Sequence, residues 1–360
     1  MSDTITAPEP TATTAAVAPT GPAAPAAPPR IPLNTLAIGL GLAGVAEAWT
    51  AAVRVIGLPV VVAQAFWAVA AIAWVWLIVA HLVRGRRSGQ PLIEQLRHPA
   101  QGPLAAIVPV VGMLLGSDLA RWVPVAGTVL VLASLAATAL FAAWLVSTWI
   151  SGRIELGAVH GGYLLPTVAA GFVAAGAAQS IGLTGLAWAA FGEGMLFWIV
   201  MTTVVILRLT TRPPLPDALV PTLAVIVAPP AVGGIALFAL TDDAITPFSL
   251  AFAGLAAVLV LVQLALIPRY RQLPFSLGFW SFTFPTAALV AYTIEWLGVG
   301  ARDAAPILVS VLTAVLVVGL TVFVATVGFF TVRIAVDSRS RLRAEAVLTR
   351  ADDIDAATRR

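Results

Sequence analysis

The sequence predicts an all-α integral membrane protein: ten transmembrane helices, laid out as five helical hairpins in a quasi-fivefold bundle around a central pore. Three observations carry that prediction. Of the 360 residues, 60% are hydrophobic and only 10% charged, with a mean hydropathy of +0.98; a soluble domain carries about 25% charged residues. The apolar residues fall into ten runs of membrane-spanning quality, at about 33–53, 61–83, 103–117, 124–148, 162–178, 183–207, 218–240, 248–267, 276–296 and 305–333. Finally, the five odd-numbered runs are each interrupted by Pro or Gly, at Gly39/Gly41, Pro109, Pro166, Pro229/Pro230 and Pro285.

The interruptions recur at intervals of about 55 to 70 residues, the length of two spans with their connections. A proline inside a helix removes one backbone hydrogen bond, and its ring clashes with the carbonyl one turn earlier. In lipid that defect is tolerated only where the freed groups face protein or a water-filled cavity. Five defects in register therefore gather the odd helices around a common axis, as in a pore. The third and fifth runs are short for a hydrocarbon core of about 30 Å, so they are expected to be tilted or partly unwound.

The connections after odd spans are short (54–60, 118–123, 179–182, 241–247, 297–304) and those after even spans longer, so the five hairpins open the same way. The longer connections and the C-terminal junction hold thirteen arginines, among them Arg84, Arg86, Arg87, Arg97, Arg208 and Arg212; the short ones hold only Arg54, Arg121 and Arg302. Positive loops stay in the cytoplasm, which puts both termini there and points the hairpin tips outward. Residues 1–30 are rich in Ala and Pro, cannot bury a core, and are expected to be a disordered cytoplasmic tail. This tail lacks the basic start and continuous apolar stretch of a signal peptide, so the first span directs insertion. The membrane domain covers 31–335, and a charged cytoplasmic tail of 336–360 has room for a short surface helix.

Several function classes are disfavoured. There is no cysteine, hence no disulfide and no thiolate metal site. His81, His98 and His160 sit at cytoplasmic helix ends without partners at ligand spacing and read as interfacial, so neither a metal nor a cofactor is expected. All 20 basic residues are Arg, but no basic stripe interleaves with aromatics, which argues against nucleic acid as a partner. An enzyme is not expected either. The carboxylates are isolated, no nucleophile–base pair is evident, and Gly192-Glu193-Gly194 inside a helix does not make a phosphate cradle.

The segments around the interruptions resemble the tellurite-resistance/dicarboxylate transporter family, which includes TehA-type bacterial channels and the slow anion channels of plant guard cells. The resemblance rests on Gly39-Leu-Gly-Leu-Ala-Gly44…Ala48-Trp49 in the first span, and on His98-Pro99 with Ile107-Val-Pro109 at the third. Tyr163-Leu-Leu-Pro166-Thr-Val-Ala-Ala, Val227-Ala-Pro-Pro230-Ala and Phe279-Trp-Ser-Phe-Thr-Phe-Pro285 continue it in the fifth, seventh and ninth. Each fragment is weak alone; together, in order, they cover residues 31–335. The resemblance implies an anion channel or passive anion transporter for small inorganic or organic anions, in a bacterial inner membrane, as a homotrimer with one pore per subunit. It also implies that the kinked odd helices line the pore, and that a phenylalanine directly before the ninth-helix break, here Phe284, plugs it. One departure is Gly39, where TehA-type relatives often carry Pro; glycine keeps its N–H, so a shallower kink is expected there. Without the resemblance, Phe284 is one of several aromatics, with Phe279 and Phe282 as competitors for the same role.

Selectivity is less legible. No Arg lies in the middle of a span, as the insertion cost of a central charge requires. Anion preference is left to backbone N–H groups at the breaks, to hydroxyls such as Thr167, Ser281 and Thr286, and to the arginine-rich cytoplasmic mouth. Against the hydroxyls, a transmembrane Ser or Thr usually bonds its own helix. Two carboxylates, Glu47 and Glu193, fall inside spans and are functional candidates by default. Glu47 is about two turns before Arg54 and is expected to pair or to lean toward the outer interface. Glu193 is expected between the helix layers. The alternative is a proton-coupled carrier of C4-dicarboxylate, sulfite or tellurite with Glu193 as its coupling group.

Overall fold

The computed structural model describes residues 29–152 and 155–358; the tail expected to be disordered lies outside them up to residue 28, as does Arg153. Among the described residues ten helices are long and apolar enough to cross a membrane: α1 (Leu33–Ile56), α2 (Val60–Ser88), α3 (Gly102–Ala120), α4 (Pro124–Ile150), α5 (Gly161–Ser180), α6 (Thr184–Thr211), α7 (Val220–Leu240), α8 (Pro247–Tyr270), α9 (Leu277–Gly300) and α10 (Pro306–Asp337). The last helix continues without interruption to Thr358, where the sequence reading expects a separate short helix.

Each odd helix packs on the even helix that follows it, giving α1·α2, α3·α4, α5·α6, α7·α8 and α9·α10. The odd helices also pack on one another in cyclic order: α1 on α3, α3 on α5, α5 on α7, α7 on α9, and α9 back on α1. No two even helices make more than marginal backbone contact. Burial follows the same division. In the odd spans 56–94% of positions are buried, in the even spans 11–28%. A helix apolar all round belongs either in a core or against lipid; here one layer takes each role.

The interruptions read from the sequence are changes of helix type. Tight 3₁₀ turns open α1 (Leu33–Leu36), α3 (Gly102–Ala106), α5 (Gly161–Leu164), α7 (Val220–Val227) and α9 (Leu277–Phe282). In α5 a π-helical turn, Leu165–Ala169, follows before the α-helix starts. Elsewhere the α-helix starts at once, and Gly39, Pro109, Pro230 and Pro285 are each its third residue. Proline is tolerated in the first turn of an α-helix, where its missing N–H costs least. The residues at these junctions stay right-handed helical, so the backbone is retuned there and not opened. That also explains why the third and fifth spans look short: their opening turns are not α-helical.

The glycines of α1 act differently from the kink expected of them. Gly39 and Gly41 lie in regular α-helix. A side chain at Gly39 would reach Trp74 and Leu77 of α2, and one at Gly41 would overlap Thr283 of α9. At Gly44 an added Cβ would come within 2.8 Å of the Ala287 Cβ. Gly41 and Gly44 therefore let α1 and α9 approach closely, as small residues do between helices in lipid. Polar ties join the two layers. The indole N–H groups of Trp49, Trp67 and Trp280 donate to Thr321, Thr50 and Thr331 at 2.8–3.0 Å. Two outer side chains satisfy carbonyls near the junctions: Trp74 donates to the Val108 carbonyl at 3.0 Å, and Gln263 to the Leu223 carbonyl at 3.1 Å.

Seams this tight make a testable contrast. A Cβ at Gly127 of α4 would run into the Ala120 backbone of α3, whereas one at Gly254, exposed on α8, meets nothing. Gly127→Ala should destabilise the protein by about 1–3 kcal/mol. Gly254→Ala should leave it unchanged or up to about 1 kcal/mol more stable. Thermal unfolding of the two variants in detergent measures both; equal midpoints would contradict the seam.

Candidate functional site: the central cavity

A cavity of about 230 Å³ lies inside the ring of odd helices and is bordered by all five. Gly44 and Glu47 come from α1, Leu114 and Asp118 from α3, Phe172 and Gly176 from α5, Val232 and Ile235 from α7, and Phe284, Ala288, Ala291 and Glu295 from α9. Of the even helices only α2 contributes, through Trp67. The α9 residues recur three or four apart, one stripe of one helix face. From Phe284, beside the junction, that stripe climbs to Glu295 near the hairpin tips. Arg54, Arg121 and Asp243 border the cavity at the same end, at or just beyond the C-terminal ends of α1, α3 and α7.

Phe284 is the second residue of the α-helical part of α9, adjoins Pro285, and is 7% exposed. It faces Gly44 across the α1–α9 seam. Its competitors lie elsewhere. Phe279 packs with Phe275 and Phe282, Phe282 also meets Tyr270 edge-on at 4.8 Å, and neither borders the cavity. Phe172 does border it, but its ring is held among Phe191, Trp198 and Phe252 at 5.4–6.1 Å. Among the described residues Phe284 has no aromatic partner. Of the three cavity-lining phenylalanines it alone lacks such a clamp, Phe238 being held by Tyr292 and Trp296; Trp67 has no aromatic partner either, but its indole N–H is tied to Thr50.

The charges at the cavity are two arginines against four carboxylates, Glu47, Asp118, Asp243 and Glu295. Arg54 pairs with Glu295 and so bridges α1 to α9; Asp118 accepts a hydrogen bond from Gln64 at 3.0 Å. Glu47 has no hydrogen-bond or ion-pair partner among the described residues, so of the two expectations for it, pairing or leaning toward the interface, the pairing is absent. It borders the cavity one turn beyond Gly44.

Residues 30–332 match the family model for voltage-dependent anion channels, SLAC1. The chain belongs to the SLAC1 family. The TehA homologue of Haemophilus influenzae, a tellurite resistance protein by name, is 26% identical over 262 residues, which cover 72% of this chain and 79% of that one. The resemblance drawn from the five interrupted helices is thus borne out, and the protein is a multi-pass membrane protein with the function of an anion channel or transporter.

Within that family frame the other predicted site residues divide. Glu193, Pro166 and Thr167 border a separate crevice between α4, α5 and α6, outside the ring. Ser281 and Thr286 border neither space, and the Thr286 hydroxyl donates to its own helix at the Phe282 carbonyl, 2.7 Å away. Gly39, Gly41, Pro109, Pro229, Pro230 and Pro285 do not border the cavity either; the prolines lie in the first turn of their α-helices, and the two glycines are contact sites of α1. The sequence reading overlooked Glu295 and Asp118. The signal for Glu295 was its place on the stripe of Phe284, Ala288 and Ala291.

Two expectations about the other face of the ring are corrected. Arg208 does not line a mouth: it is 3% exposed, and its guanidinium donates to the Gly157 and Pro213 carbonyls. His160 is not interfacial but fully buried, its Nδ1 accepting from the Gly162 N–H at 3.1 Å and its ring edge-on to Tyr163. Burial, reinforced by the Arg208 charge, pushes the His160 pKa down to about 4 from 6.5. The unfolded chain then takes up that proton first, so stability is lost as pH falls from 6.5 toward 4. A gap of this size corresponds to about 3 kcal/mol at the acid end. The thermal midpoint of the wild type should fall across that window and that of His160→Gln should fall less. Parallel curves would remove His160 as the cause.

Proposed function

We propose that the central cavity is the outer part of an anion-conducting pore and that Phe284 is its gate. One observation carries this reading: Phe284, held by neither an aromatic clamp nor a hydrogen bond, borders a cavity that all five odd helices line. A phenyl ring in a narrow apolar tube blocks ions sterically and by dewetting. A rotamer change is a small, fast motion compared with a rearrangement of packed helices. Conduction therefore needs no opening of the ring, only space for the phenyl to leave the axis.

The charges bear on selectivity. With four carboxylates and two arginines at the cavity, the outer half does not concentrate anions by net charge. Glu295 is paired with Arg54, whereas Asp118, bonded only by the neutral Gln64 amide, and Asp243 lie toward the hairpin tips, which leaves Glu47, one turn beyond Gly44, as the repulsion nearest Phe284. Weak discrimination among small anions is the expected outcome. The thirteen-to-three arginine bias supports cytoplasmic termini and outward tips, and the family resemblance supports a homotrimer in a bacterial inner membrane. If the protein instead couples anion flux to protons, the position of Glu47 favours it over Glu193 as the coupling group, because Glu193 does not border the cavity.

Phe284→Ala should raise anion conductance at least tenfold in planar bilayers; an unchanged current removes Phe284 as the gate. On that open background Glu47→Gln should raise the current a further severalfold, with a larger effect on divalent than on monovalent anions. A coupled carrier would behave otherwise. Glu47→Gln would abolish proton-driven uptake and leave no ohmic current.

A further inference from the structure

Outside the ring, the gap between the second and third hairpins holds a crevice of about 530 Å³. Its walls are α4 and α6, which do not pack on each other beyond marginal contact, and its floor is α5 at the π-helical turn. Leu186, 45% exposed, stands at its rim. Most of the lining is Ala, Leu, Ile and Val, with the Phe197 ring on one wall. Four polar groups break that apolar surface; one, Ser147, donates to its own helix at the Trp144 carbonyl, and the other three are unpartnered among the described residues. Glu193 has no hydrogen-bond or ion-pair partner among the described residues. The hydroxyls of Thr138 and Thr167, 8% and 1% exposed, have none either.

The backbone is shaped to admit these groups. The Glu193 carboxylate lies against Gly171, where any side chain would displace it, and Gly194 packs on Phe172 beside it. Thr167 sits in the π turn of α5, a rare geometry that is frequent at functional sites. Glu193 is nine residues into α6, about 14 Å from the outer end of that helix at 1.5 Å per residue. That is close to half the hydrocarbon thickness. An acid at this depth is expensive, as are buried hydroxyls without partners, unless something arrives to bond them.

We propose that this crevice is a binding site for a neutral, membrane-dissolved lipophile with a phenolic head. The chemistry selects that class. A charged head is costly so deep in the bilayer, whereas a phenol O–H donates to the Glu193 carboxyl and its oxygen accepts from Thr138 or Thr167. Phe197 offers an aromatic neighbour for the ring, the Ala-rich walls suit an alkyl chain, and the volume is within the range of small-molecule sites. None of its lining residues borders the central cavity, so the site stands independently of the pore reading.

The test uses the full-length protein in lipid nanodiscs, titrated with 4-nonylphenol and, as the probe lacking the hydroxyl, nonylbenzene. The phenol should raise the thermal midpoint saturably, because it binds the folded state alone; nonylbenzene should not. Glu193→Leu, and separately the near-isosteric pair Thr138→Val with Thr167→Val, should raise the half-saturating phenol concentration at least tenfold. Equal responses to the two probes, or variants that respond like the wild type, would overturn the site. So would a disulfide between copies through Leu186→Cys, introduced into this cysteine-free chain, because the crevice would then be a seam between subunits.

Discussion

The structure depends on one constraint: inside a bilayer no backbone hydrogen bond can be left to water. Each odd helix nonetheless changes its hydrogen-bonding pattern partway through the membrane, from 3₁₀ or π to α, with Pro or Gly at the change. Such a change exposes carbonyls that a uniform helix would use. Lipid cannot bond them, so the irregular helices belong on the inside, and the even helices, which start as α-helix and carry only Pro268 in their interiors, can face lipid. Trp74 and Gln263 show the cost being met locally, each reaching from an outer helix to a carbonyl of an inner one. The division into two layers follows from where backbone disorder can be repaired.

Closing five helices into a ring sets a second condition, on side-chain size. Without a hydrophobic force to press helices together in lipid, association relies on close packing. The α1–α9 seam shows how it is done: Gly41 opposite Thr283 and Gly44 opposite Ala287, with the Arg54–Glu295 pair at the outer end. Gly234 gives Tyr292 its place on the opposite side of α9 in the same way. The glycines that look like kink sites in the sequence are thus contact sites, and the fold uses flexibility at fewer places than their number suggests.

This explains which parts of the protein were legible in advance. Ten spans, their alternation into hairpins and the fivefold register are written in hydropathy and in the spacing of five interruptions, because both follow from the bilayer alone. Phe284 was singled out only through the family resemblance, which marks the position before Pro285. The hydroxyls Thr167, Ser281 and Thr286 were not, because a helix carries a residue's chemistry in its sequence but its facing only in its packing. A rotation of α5 by one residue decides whether Thr167 meets the cavity or the crevice, and the π turn that sets that rotation leaves little trace in composition. Glu295 and Asp118 hid for a different reason: near the end of a span a carboxylate reads as a boundary, although here it borders the cavity.

The acidic half of the cavity, toward the hairpin tips, is the least expected property for a member of an anion channel family, and the packing gives it a rationale. Glu295 holds Arg54, and that pair ties the seam facing which Phe284 sits. An unpaired Arg54 would bind anions strongly and slow their exit, since conduction requires sites that are entered easily and left easily; Arg121, exposed beyond the end of α3, has no such partner among the described residues. Engaging the cation with a carboxylate weakens its hold on a passing anion while keeping α1 and α9 in register. On this argument the carboxylates serve throughput and the closure of the ring together. On the proposed gating, the main barrier is then the apolar constriction at Phe284, a barrier that one side chain can remove.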